Sequence, residues 1–220
     1  MGAEDPTYAE TLRRKPMTQR SDLLQRGANP AERRLVLLHG WGADADDLLD
    51  LGPLLVGPEV SVIALRAPEA HPYGPGRQWY GLQPIDWGQL PAARQSLQQR
   101  LEELGQSVPL AQTVLLGFSQ GGAMAVDAGS ALPLAGIVAC SGYPHEGWQP
   151  PAAMPPVLLS HGREDPVVPF GASEQLQQLL QGAGGATELL AFSGGHSIDG
   201  SVLTPISTFI RDRLAAAPQR

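Results

Sequence analysis

Short apolar runs alternating with segments of helical period constrain the fold of this chain more than any other feature. The runs occupy 35–38, 60–65, 113–118, 135–140, 156–160 and 187–192, and they are apolar for most of their length. Continuous runs of this kind suit strands buried on both faces, and strands alternating with helices imply parallel βαβ crossovers. Residues 44–56 read as a short helix interrupted near Gly52-Pro53, and 120–130 and 173–181 as two more. The clearest helix is 90–104, with Pro91 in its first turn and Leu97, Leu101 and Leu104 on one face. A last helix carries Ile206, Phe209, Ile210 and Leu214, with Pro205 in its first turn. The expected fold is α/β, a mostly parallel central sheet with helices on both faces. Residues 66–89, carrying Trp79, Tyr80 and Trp87, form an irregular stretch longer than compact domains usually tolerate without a functional reason.

With 220 residues the chain can bury a core without disulfides or metal. Residues 1–34 are polar, include Pro6, Pro16 and Pro30, and are expected to be a partly disordered arm leading into a domain at 35–220. The net charge is −7, and the arm holds seven of the fifteen basic residues, leaving eight against seventeen acids elsewhere. Phosphate neutralisation needs clustered cations, so a nucleic-acid partner is not expected. No apolar stretch reaches spanning length, so neither is stable membrane insertion. Glu4, Asp5 and Glu10 come early with no apolar segment after them, unlike a secretory leader. Cys140 is the single cysteine and lies in an apolar run, so the expected setting is the cytoplasm and the expected thiol buried and inert.

Within 113–125 an apolar run enters Gly117-Phe118-Ser119-Gln120-Gly121, and small and apolar residues follow. A strand-turn-helix junction of this kind holds a serine hydroxyl clear of the backbone, with glycines where side chains would collide with strand and helix. In a chain with 26 glycines the pentapeptide alone is weak, so its partners must carry the argument. A serine nucleophile needs a base, and the base an orienting acid; in an open parallel sheet all three fall beyond strand C-termini. Asp165 follows the run 156–160, and His196 follows 187–192 in a glycine-rich turn. The chain order is nucleophile, acid, base: Ser119, Asp165, His196. Glu164 is the alternative acid. The Gly-rich loop at 39–43 is positioned to supply an oxyanion donor from the N–H of Trp41, with the N–H of Gln120 as the second.

Each element has a plainer explanation on its own: a turn begun by Asp165-Pro166, or a glycine-rich loop without chemistry. Of the five histidines, His39 and His161 each precede a glycine at a strand end and are expected to pack structurally near the site. His71 and His145 lie in proline-containing loops and are expected at the surface. His39, His161, Asp165 and His196 show no ligand pair at helical spacing, so no metal is expected.

Together these residues resemble the carboxylesterase/phospholipase family of small α/β hydrolases, which includes the acyl-protein thioesterases. The resemblance rests on Leu38-His39-Gly40 with Gly42-Ala43, on Arg77-Gln78-Trp79-Tyr80, on Gly117 to Ala123, on Ser141-Gly142-Tyr143, on the run 161–169 and on Gly195-His196. It implies a compact α/β-hydrolase fold without a large cap domain, Ser119, Asp165 and His196 as the triad, and cleavage of carboxylic esters or thioesters without a cofactor. The expected partner is a small-molecule acyl ester or thioester, or an acylated protein. Two positions depart from the family: Trp41 stands where an aliphatic residue is usual, and Gly81 where an acidic one is. Trp79, Tyr80, Leu82 and Trp87 could wall an apolar acyl site or be ordinary core. A binding protein that kept the fold without its chemistry is the competing class.

Overall fold

Leu35, Val36, Leu37 and Leu38 are all buried, so the strand they build has no solvent face and must lie inside a layered sheet. The computed structural model describes residues 22–216. Its strands are β1 (Leu23–Gly27), β2 (Arg34–Leu38), β3 (Ser61–Leu65), β4 (Glu69–Ala70), β5 (Arg77–Gln78), β6 (Thr113–Phe118), β7 (Gly136–Cys140), β8 (Val157–Gly162) and β9 (Thr187–Phe192). Its helices are α1 (Leu51–Val56), α2 (Leu90–Gly105), α3 (Gln120–Gly129), α4 (Gly171–Gly182) and α5 (Gly200–Ala216). Seven strands form one sheet in the order β1-β3-β2-β6-β7-β8-β9, parallel except for β1, while β4 and β5 pair as a small ribbon.

Alternate side chains divide between two cores. Val36, Leu38, Leu115, Ile137 and Leu159 meet Leu97 and Leu101 of α2, Met124 of α3, and Leu176 and Leu180 of α4. Leu35, Leu37, Leu116, Val138 and Leu158 meet Leu55 of α1 and Val202, Ile206, Ile210 and Leu214 of α5. The chain moves from β2 outward to β3, then crosses back past β2 to β6 and proceeds the other way. The C-terminal ends of β2 and β6 therefore flank the point where the topology switches, where a parallel sheet leaves a crevice.

Four expectations change. Of the residues expected as an arm, 1–21 lie outside the described residues, and 22–34 enter the domain: Leu23–Gly27 pairs antiparallel with β3, and Arg34 opens β2. The Arg34 guanidinium donates to Leu104 O at 2.6 Å and Ser107 Oγ at 2.8 Å. Only Leu23 and Leu24 of β1 are partly covered, too weak a pattern to show as a strand in sequence. Helix α1 begins at Leu51, because 44–50 turn on themselves first. Helix α5 begins at Gly200, so Pro205 sits in its second turn, where a backbone N–H would otherwise bond one turn back. The stretch 66–89 is partly regular, with the β4–β5 ribbon, a Leu82–Ile85 bridge and a 3-10 turn at Trp87–Gln89. Among the described residues no helix is long and apolar enough to cross a membrane.

Helix α3 reaches the sheet without side chains in the way. A Cβ on Gly121 would stand 2.2 Å from the Leu38 carbonyl oxygen, and one on Gly117 would stand 2.1 Å from the Gly121 oxygen. Backbone lies on the far side of both contacts, so no rotamer change can relieve them. Gly121→Ala is expected to cost about 3 kcal/mol or more of folding stability, or to leave the protein insoluble, read from its melting temperature and soluble yield.

Candidate active site

Ser119 sits between β6 and α3 with φ +54° and ψ −119°, a conformation L-residues rarely adopt. It is held there by its own N–H, which donates to Cys140 O of β7 at 2.8 Å, and by its carbonyl, which accepts from Ala123 N at 3.0 Å. The turn projects Oγ to within 2.9 Å of His196 Nε2. On the other side of the ring, His196 Nδ1 lies 2.6 Å from Asp165 Oδ2. A carboxylate accepts only, so Nδ1 carries the proton and Nε2 is left to accept from the serine hydroxyl. Asp165 Oδ1 takes the N–H groups of Val167 and Val168 at 2.8 and 2.9 Å. Burial by itself would push this carboxyl up, but the hydrogen bonds from His196, Val168 and Val167 outweigh it and hold Asp165 below the usual carboxylate range.

The loop bearing His196 approaches β8 closely, since a Cβ on Gly162 would stand 2.3 Å from Gly194 O. Glu164, the alternative acid, clamps that loop: its Oε2 accepts from Gly194 N at 2.5 Å and its N–H donates to Gly194 O at 3.0 Å. Asp165 is thus the carboxylate at the imidazole, and Glu164 holds the turn that presents it.

Residues 39–43 run past the serine, with Gly40 against Phe118 and Ser119. His39 pins this loop: Nδ1 donates to Gly40 O at 2.8 Å, and Nε2 accepts from Ala67 N at 3.1 Å. Burial lowers its pKa, in keeping with a neutral ring that both donates and accepts. Gly42 N donates to Arg77 O at 2.9 Å and Trp41 Nε1 to Gln78 Oε1 at 2.9 Å, so β5 backs the loop. The fully buried Gln120 side chain accepts from Trp79 N at 3.0 Å and donates to Tyr80 O at 2.9 Å, fastening 79–80 to the start of α3.

A cavity of about 530 Å³ opens beside Ser119 and His196, walled by Trp41, Leu82, Phe118, Tyr143, Val168 and Ala172. Of the four residues expected to wall an acyl site, Leu82 alone does so. Trp79 and Tyr80 are core residues at 2% and 0% exposure, and Trp87 stacks near Tyr80 and His145 instead. The aromatic residues point inward because Gln120 fixes their backbone on the sheet side. Phe118, Tyr143 and Val168 were not anticipated as walls, although all three lie within the stretches that carry the resemblance.

His145, expected at the surface, is buried. Its Nδ1 lies 2.6 Å from Asp127 Oδ2, its Nε2 lies 3.0 Å from Tyr80 Oη, and Tyr80 Oη lies 2.7 Å from Tyr143 Oη. Asp127 also pairs with Arg94 at 2.7 Å. The Asp127 carboxylate accepts from Nδ1–H, so Nε2 accepts from Tyr80, whose oxygen then accepts from Tyr143. Burial pushes both phenols up, so both stay protonated and the chain stays intact. The legible signal was Asp127, one charge in an otherwise uncharged helix, seven residues after Gln120 and on the same face. His71 is half-buried, its ring 4.3 Å from that of Trp41.

A switch-point crevice, a serine on a strained strand-helix turn, and an imidazole bonded to it and to a buried carboxylate define an α/β hydrolase. The chain belongs to the phospholipase/carboxylesterase family, a family of carboxylic ester hydrolases, whose model matches residues 21–214. It is 27% identical over 190 residues to the esterase YpfH of Escherichia coli strain K12, covering 80% of this chain and 81% of that one. It is 32% identical over 124 residues to an acyl-protein thioesterase 1 of Neurospora crassa, covering 51% of each. Against several curated relatives the chain spans about half their length. Among solved structures it resembles the esterase PE8, with a TM-score of 0.79 and 32% identity over 87% of this chain and 97% of that one.

Because Asp165 is held below its unfolded value, its charge stabilises the fold fully above about pH 4 and ceases to do so as pH falls through the folded value. The difference in unfolding free energy between wild type and Asp165→Asn is expected to shrink as pH falls from about 5 to about 3. Urea unfolding across pH 2.5–5 reads it; a difference that grows over that range would contradict the assignment.

Proposed function

We propose that the protein is a serine esterase that cleaves carboxylic esters or thioesters through an acyl-enzyme intermediate. The observation that carries this is the single-tautomer series Asp165 Oδ2–His196 Nδ1 at 2.6 Å and His196 Nε2–Ser119 Oγ at 2.9 Å. His196 takes the hydroxyl proton as Oγ attacks the acyl carbonyl, and Asp165 steadies the imidazolium that forms. The tetrahedral oxyanion is met by the N–H of Gln120, at the positive end of α3, and by the N–H of Trp41. His196 returns the proton to the departing alcohol or thiol, then activates water to release the acid.

The acyl group lies against Leu82, Phe118 and Val168, in a cavity whose volume falls in the range of small-molecule sites. Ile85 and Val167, both exposed at 48% and 65%, stand at its mouth. A relative named acyl-protein thioesterase supports thioesters, and one named esterase supports oxygen esters; the same attack serves both. The intact site speaks against a binding protein without chemistry. Cys140 is buried and its thiol is pushed up to about 11 by burial, an inert group with no part in this chemistry.

A fluorophosphonate is expected to form one adduct, on Ser119, and none in His196→Ala, as mapped by mass spectrometry. Ser119→Ala is expected to lower kcat roughly 10⁴- to 10⁶-fold with the melting temperature unchanged; full activity in a clean preparation would overturn the mechanism. Leu82→Trp is expected to cut kcat/KM for octanoyl esters about tenfold while sparing acetyl esters. Equal losses on both would remove Leu82 from the acyl site.

A further inference from the structure

His161, at the end of β8, contacts the same carboxylate as His196 and has no part in the mechanism above. Its side chain is 0% exposed, and its Nε2 lies 3.2 Å from Asp165 Oδ2 and 2.9 Å from Val168 O. Both neighbours are acceptors, so Nε2 must carry a proton. Nδ1 lies 2.6 Å from Ser173 Oγ in α4, closer than that hydroxyl's other contact, Gly142 O at 3.2 Å. In the neutral ring, with the proton on Nε2, Nδ1 accepts from the Ser173 hydroxyl, which also faces Gly142 O. The edge of the ring is packed against Phe170, over which the Arg163 guanidinium lies at 4.9 Å. The charged and titratable groups around the ring are thus Asp165 and, beyond it, His196 and Arg163, with Glu164 engaged at Gly194.

We propose that His161 is a positioning residue for the Asp165–His196 couple and for the acyl wall together. Its one N–H donates to the Val168 carbonyl at 2.9 Å and faces Asp165 Oδ2 at 3.2 Å. Val168 in turn gives its own N–H to Asp165 Oδ1 and walls the cavity. Asp165 receives two N–H groups on Oδ1 and that of His196 on Oδ2, and rotation of the carboxylate breaks bonds on both sides. The segment 165–168 is locked as one body, so the geometry that orients the base also sets the width of the acyl site. This rests on the serine-esterase reading.

The test is the pH profile of kcat and kcat/KM with p-nitrophenyl butyrate for wild type, His161→Leu and His161→Gln. Without the His161 N–H, the Asp165 charge is less satisfied and acts more strongly on His196, which favours imidazolium. The acid limb of kcat/KM in His161→Leu is expected to move up by about half a pH unit, since the base must be neutral to act. The looser carboxylate is expected to lower kcat about tenfold, with KM raised as Val168 shifts. The glutamine amide reaches the place of Nε2 and is expected to return the limb and most of kcat. A folded His161→Leu with unchanged limb and kcat, or a glutamine variant no better than leucine, would overturn the proposal. If His161→Leu does not fold, His161→Asn takes its place: its amide serves Ser173 but stops short of Asp165, so wild-type behaviour would be equally fatal. Failure of the underlying reading looks different, with no fluorophosphonate adduct on Ser119 in the wild type.

Discussion

Backbone meeting backbone, where the first turn of α3 crosses the end of β2, is the contact on which the rest depends. Gly121 lies so close to the Leu38 and His39 carbonyls that even a methyl group would not fit. That approach lets the chain turn from strand to helix within one residue, and the turn forces Ser119 into its positive φ. The Cys140 carbonyl of the neighbouring strand then holds the serine N–H. A strained conformation persists when its surroundings over-determine it, and here two strands and a helix do so at once.

The same helix organises the polar interior. Gln120 and Asp127 lie two turns apart on one face and act on the loop that follows β5, Gln120 directly and Asp127 through His145. Gln120 ties down the backbone of 79–80, while Asp127 orders His145 and, through it, the two tyrosines. Buried polar groups cost stability unless they find partners, and here the Gln120 amide, His145 and the two phenols are paired while Asp127 Oδ1 is left to its ion pair with Arg94. The outcome is a cavity wall at Tyr143 held by hydrogen bonds as well as by packing, next to a wall at Val168 held through Asp165 and His161.

Much of the fold was legible because its strands are buried on both faces, which makes them continuous apolar runs. The run 113–118 matches the buried β6, and 187–192 matches β9, an edge strand that its leucines and Phe192 still marked. Strand β1 was not legible, since it lies at the sheet edge with only two residues partly covered. Among the site residues, Ser119, Asp165 and His196 were named from chain order and strand ends, and the structure brings their side chains together. Trp79 and Tyr80 were offered as walls because large aromatics on a long loop suit a pocket as well as a core. Composition cannot separate the two, since the difference lies in which way Gln120 holds their backbone. His145 was placed at the surface because Pro144 beside it suggested an exposed loop, and its partner Asp127 is eighteen residues away.

Local chemistry in the sequence therefore determined the strand-helix alternation, the elbow and the three candidate site residues, because each depends on residue type at short range. The tertiary structure alone decided which aromatics face the cavity and what holds the acid and the imidazole in place. Those outcomes depend on hydrogen bonds between residues far apart in the chain, such as Gln120 with Trp79 and Glu164 with Gly194. No local pattern encodes them, because the donors and acceptors find one another only once the sheet has brought the strand ends together.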